Sequence, residues 1–112
     1  MIEVDEELLR AFHLMWDNFP DACTLIHRSR EVVAVNPAAK RVPREVGMIC
    51  AEQGSPKAHA RCQANRALET NQTQAVRYVT REGKEKLTFW VPINGYPDFY
   101  IHFGTRSIRD YE

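Results

Sequence analysis

EKLTFWVPINGYPDFYIHFG, residues 85–104, is the stretch on which the fold turns. Leu87, Phe89, Val91 and Ile93 fall at every second position, the period of a strand with one face turned to a core. Asn94-Gly95 opens a turn that runs through Asp98, because this dipeptide readily takes up tight reversals. Phe99, Ile101 and Phe103 then alternate with Tyr100 and His102. Two strands joined by a short turn make an antiparallel hairpin. By this alternation the Phe99, Ile101 and Phe103 face is the core face, and His102 lies on the surface.

Working upstream, TQAVRYVT (73–80) reads as a third strand, linked to the hairpin by REGK. Near the start, DACTLIH (21–27) and EVVAV (31–35) are strand-forming runs around the turn RSR. Asn36 is a good N-cap and Pro37 suits the first helical turn, while Pro43 limits that helix to about two turns. REVGMICAEQG (44–54) reads as a loop with a helical turn. SPKAHARCQANRALETNQ (55–72) predicts a longer helix, capped by Ser55 and Pro56 and closed by Asn71. Its apolar face is Ala60, Ala64, Ala67 and Leu68. Segregated strands and helices imply an α+β domain with an antiparallel sheet.

The N-terminal segment DEELLRAFHLMWDNFP (5–20) is a separate helix. Leu8, Phe12, Met15 and Phe19 recur at intervals of four, three and four, and Leu9 and Trp16 widen the stripe. Asp5 caps its start, Glu6 and Glu7 suit the positive end of its dipole, and Pro20 ends it. The stripe either packs on its own domain or serves as a dimer contact. The chain divides into this flanking helix, residues 1–20, and a core of residues 21–112.

Bulk properties narrow the function. The 112 residues suit one domain, and 44% hydrophobic with 27% charged residues is a globular composition. Fifteen basic residues balance fifteen acidic ones, so no net field draws the chain to nucleic acid or to a membrane surface. No apolar run approaches the ~18 residues of a membrane span, and the start is acidic where a signal peptide is basic. We therefore expect a cytoplasmic location, where three cysteines, an odd number, stay reduced.

Cys50, His59 and Cys62 form the pattern Cys-x8-His-x2-Cys, which carries sulfur and imidazole suited to zinc or iron. A fourth ligand would come from Cys23, His27, water or a partner chain. On a helix His59, Cys62 and Arg66 share one face. A guanidinium there favours a thiolate at Cys62 and opposes a bound cation, so redox reactivity suits the group better than zinc. An ordinary, partly exposed helix face is the plain alternative. No phosphate-binding loop, zincin motif or nucleophile elbow is present in the sequence, and we expect no catalysis.

The chain resembles a PAS domain, a sensor fold of bacterial signalling proteins. FPDACTLIHRSREVVAVNPAAKRV (19–42) resembles the opening hairpin and Asn-containing short helix of that family. REVGMIC resembles the entry to the next helix in one subgroup, ANRALETNQTQ the helix end that feeds the third strand, and FGTRSIRDYE the final strand and exit. The resemblance implies a five-stranded antiparallel sheet in the order 2-1-5-4-3, with helices over one face and an N-terminal flanking helix. A pocket would lie between the sheet and the longer helix, and from the sheet's inner face we assign it Leu25, Val33, Tyr78, Phe89 and Ile101.

The same resemblance implies a non-enzymatic sensory or regulatory module that binds a small ligand or senses redox state. It further implies a homodimer through Leu8, Phe12, Met15 and Phe19, and a kinase, cyclase or regulator as output. The preferred expectation is no cofactor. The alternatives are a metal, iron–sulfur or haem sensor using Cys50, His59 and Cys62, and a ligand-free association scaffold. Haem-binding members carry their proximal histidine near the position of His59. The Asn-Cys-Arg-Phe-Leu-Gln motif of photoadduct-forming flavin domains is replaced around Cys50 by MICAEQ.

Overall fold

The computed structural model describes residues 2–41, 45–49, 62–79 and 81–105. In chain order the elements are α1 (Glu6–Trp16), β1 (Cys23–His27), β2 (Val32–Val35), α2 (Pro37–Arg41), α3 (Ala64–Thr70), β3 (Gln74–Val79), β4 (Glu85–Ile93) and β5 (Tyr96–Gly104). The strands form one five-stranded sheet, ordered β2-β1-β5-β4-β3. Every strand pairing is antiparallel, as expected.

Local chemistry sets the element ends. The Asp5 carboxylate accepts the Glu7 N–H at 2.8 Å and caps α1. The Asp17 and Phe19 N–H groups close its far end on the His13 and Trp16 carbonyls, at 3.2 and 3.0 Å. Asn71, with φ 51°, ends α3 in the left-handed conformation that asparagine tolerates. The β4–β5 turn is tighter than predicted. Ile93 faces Tyr96 directly, with Gly95 at φ 86° taking the reversal, so Tyr96, Pro97 and Asp98 belong to β5. Pro92 lies beyond the end of the β3–β4 register, which stops at Trp90, and its missing N–H breaks no bond there.

The free edge of β2 is occupied by residues 45–49. Val32 N–H donates to the Met48 carbonyl and Gly47 N–H donates to the Val32 carbonyl, both at 2.8 Å, and Glu31 bridges to Ile49. Such cover blunts a strand edge that would otherwise recruit other chains.

The longer helix differs from its expected extent. Cys62 and Gln63 are not helical: Gln63 has φ −108° and ψ 18°, and α3 begins at Ala64. The predicted start at Ser55 lies outside the described residues. Among the described residues, no helix is long and apolar enough to cross a membrane.

Hydrophobic residues pack on both faces of the sheet. Under α2 and α3 lie Ile26, Val32, Val35, Trp90 and Tyr100, with Ala39, Ala64 and Ala67 as the helix contacts. Alanines with no exposed surface bring the helix backbones close to the sheet. On the opposite face Leu8 and Phe12 of α1 cover Cys23, Leu25, Val33, Ala34 and Ile101. A bulge makes the second assignment possible. Leu25 faces Ala34 while Ile26 faces Val32, so Val33 is the extra residue and joins Ala34 on the α1 face.

Candidate functional site

The register of the sheet defines its two faces row by row. On the face under α2 and α3, one row is Val35, Thr24, His102, Trp90 and Gln74. A second is Val32, Ile26, Tyr100 and Pro92, and a third is Gly104, Thr88 and Val76. This inner face is the candidate site, because its first row sets polar side chains among apolar ones beneath the helices. The His102 ring lies against Trp90 with centroids 5.2 Å apart, and its Nδ1 donates to the Phe89 carbonyl at 3.1 Å. Thr24 Oγ1 donates to the His102 carbonyl at 3.3 Å. These rows contain no carboxylate and no thiol. They offer shape, aromatic surface and hydrogen bonds, which are the means of binding.

The predicted lining residues fall differently. Leu25, Val33 and Ile101 are buried on the opposite face, beneath α1. Phe89 shares that face, stacked on Phe103 at 4.9 Å and 21°. Tyr78 pairs with Lys86 in β3, and its side chain lies outside the described residues. The more apolar side of β5 faces α1, whereas Tyr100 and His102 face the helices of the inner side. His102 is thus half-buried on the inner face rather than on the surface.

The cysteine–histidine group is only partly described. Cys50 and His59 lie outside the described residues, so the metal and haem readings that use them do too. Cys62 is exposed and precedes α3, which removes the helical spacing that was to align it with Arg66. Cys23, the suggested fourth ligand, is sealed in the α1-side core. His27 sits at the β1–β2 turn, its Nδ1 accepting the Ser29 N–H at 3.1 Å. Among the described residues, no group of three or more His, Cys, Asp or Glu side chains could hold a metal ion.

Burial pushes the Cys23 thiol up to about 12, since a thiolate there would lose its hydration. The unfolded thiol ionises near 9.0, so the folded chain holds this proton more tightly. The resulting stabilisation is complete below that value and is lost as pH rises from it towards 12. In a Cys50→Ser, Cys62→Ser variant, Cys23 is expected to resist a thiol reagent at about pH 8 until denaturant is added. Immediate labelling of the folded protein would contradict its placement.

Around the C-terminal end of α1, Trp16, Phe19 and Phe103 form a cluster with centroids 5.3 to 5.4 Å apart. Asn36 ties this end to the sheet and has no exposed surface. Its Oδ1 accepts from the N–H groups of Cys23 and Ala39, at 3.0 and 2.9 Å. Its Nδ2 donates to the carbonyls of Trp16, Phe19 and Asp21, at 3.1, 3.4 and 2.9 Å. The expected N-cap bond to α2 is therefore one of five. The others join elements distant in sequence, and no local signal announces them.

No protein-family model matches the chain, and no curated protein matches it in sequence. Its fold does recur among solved structures. A domain of an HTR-like protein from Haloarcula marismortui is 20% identical with a TM-score of 0.60, covering 80% of this chain and 98% of that one. The PAS domain of a protein from Colwellia psychrerythraea is 15% identical with a TM-score of 0.59, covering 94% and 99%. A PAS domain from a two-component sensor histidine kinase is 17% identical with a TM-score of 0.56, covering 92% and 100%. Strand order, inner helices and these likenesses agree: the chain has the PAS-domain fold.

Proposed function

We propose that this domain is a non-enzymatic sensory or regulatory module, in which occupancy or packing of the inner face is passed through the sheet to α1. The observation that carries the reading is the two-sided core. Tyr100 and Ile101 are adjacent in β5, yet one packs under α3 and the other under α1. A change on one face therefore reaches the other across a single strand. Close-packed interiors pass on such displacements because they have little free volume to absorb them. The aromatic surface of Trp90 and Tyr100 and the hydrogen-bonding side chains of Thr24 and His102 support binding at the inner face. The likeness to a PAS domain from a two-component sensor histidine kinase supports an output of that kind.

The same reading includes a homodimer, with a revised contact. Leu8 and Phe12 are consumed by the domain's own core, whereas Leu14 and Met15 on α1 are 79% and 68% exposed. They are the apolar groups of α1 left to meet a second copy.

The test is to add bulk between α3 and the sheet with Ala67→Leu and to follow the amides of α1 by NMR. A response in α1 supports the module. A response confined to α3 and the inner rows contradicts it.

A further inference from the structure

Among the described residues, two other than glycine have positive φ, Arg30 and Asn71. Asn71 is an ordinary helix C-cap. Arg30, at φ 80°, is not. It closes the loop between β1 and β2, where its N–H donates to the His27 carbonyl at 2.7 Å and the His27 N–H donates to the Glu31 carbonyl at 2.9 Å. Glycine is the usual occupant of such a left-handed position in a three-residue hairpin loop, because any Cβ there is crowded by the backbone.

The Arg30 side chain joins three elements. Its Nη1 donates to the Arg28 carbonyl at 2.8 Å, and its Nη2 donates to Asn65 Oδ1 in the first turn of α3. The guanidinium carbon stands 5.6 Å from the centre of the Tyr100 ring in β5. Tyr100 in turn packs with Ala64 and Ala67 in the inner core. The strained backbone and the satisfied side chain therefore pull in opposite directions.

We propose that Arg30 is a strained latch that holds the start of α3 on the sheet, and that its release relaxes the β1–β2 turn while loosening α3. The latch deepens the sensory reading above by naming the contact through which the inner face would yield. An element held by opposing contributions is what a modest perturbation of Asn65 or Tyr100 can tip.

Hydrogen exchange on the full chain tests it, comparing the parent with Arg30→Gly, Asn65→Ala and the double variant. Glycine fits the backbone, so the denaturation midpoint of Arg30→Gly is expected to hold or rise. The amides of residues 67–70 should nevertheless exchange on the order of tenfold faster. Asn65→Ala should also speed them, although alanine is the better helix former. The double variant should be no faster than Arg30→Gly alone. Rates at residues 67–70 that stay within about twofold of the parent in both single variants would overturn the latch, as would effects that multiply in the double variant. Neither readout needs a signal or an output, so failure of the latch leaves the sensory reading standing. Conversely, a silent α1 in Ala67→Leu leaves the latch untouched.

Discussion

Asn36→Ala is expected to cost about 4 kcal/mol of stability and to lower the melting temperature by roughly 15–25 °C. The side chain makes five hydrogen bonds from a fully buried position. Truncation removes all five, and although Ala39 N–H keeps the Asn36 main-chain carbonyl and the Trp16 carbonyl keeps the Phe19 N–H, the Cys23 N–H and the Phe19 and Asp21 carbonyls lose these bonds. Each buried group left unsatisfied costs about 1–3 kcal/mol, moderated where water enters the space. Of a total stability of about 5–15 kcal/mol, that is a large share. Asn36→Asp separates the two halves of the network. It keeps an oxygen for Cys23 and Ala39 but loses the amide that donates to Trp16, Phe19 and Asp21. The new carboxylate would face carbonyl oxygens, which favours its protonated form and raises its pKa above the unfolded value. Its penalty should therefore grow as pH rises. Thermal melts of both variants across pH check this, and a loss below about 1 kcal/mol in Asn36→Ala would refute the hub role.

Phe12→Ala is expected to cost about 3–5 kcal/mol, the range for truncating an aromatic side chain in a packed core. Phe12 is 2% exposed and packs in the same cluster as Leu25, Val33 and Ile101. Met15 on the same helix gives the contrast. Met15→Asp should leave the denaturation midpoint nearly unchanged while converting a dimer to a monomer in light scattering. If Phe12→Ala dissociates a dimer without loss of stability, α1 is docked on a partner and not on its own sheet. A parent that is already monomeric would remove the dimer proposal and leave the Phe12 stability effect in place.

The strands of this fold were legible because the chain advertises them. The alternation at Leu87, Phe89 and Val91 and the Asn94-Gly95 turn located the hairpin, and Asp5 marked the start of the first helix, whose end at Trp16 falls short of the expected stop at Pro20. The order of the strands came from the family resemblance, since pairing partners leave no mark on composition. Which face of the sheet looked inward was not legible. Both faces are covered, so Val32, Val33, Ala34 and Val35 are all buried and carry no polar alternation. The bulge at Val33 then breaks the period of two. In β5 the larger apolar side chains pointed to a core, but it was the one beneath α1, and that misplaced the predicted lining.

The candidate site was harder to read for a related reason. His102, Trp90 and Tyr100 become neighbours of α2 and α3 only through sheet register. Arg30 carries no glycine-like signature at its left-handed position. Asn36 announced one of its five bonds, the cap to Ala39.

A sensory role of the kind proposed requires the inner face under α3 to be mechanically joined to α1 across the sheet. Amide NMR of the Ala67→Leu variant tests it most directly, because the added bulk enters where Ala67 now has no exposed surface. Shifts are expected at Tyr100 and Ile101 that continue into Leu8 and Phe12, with the fold retained. Shifts that stop at the inner rows, with α1 unchanged, would contradict it.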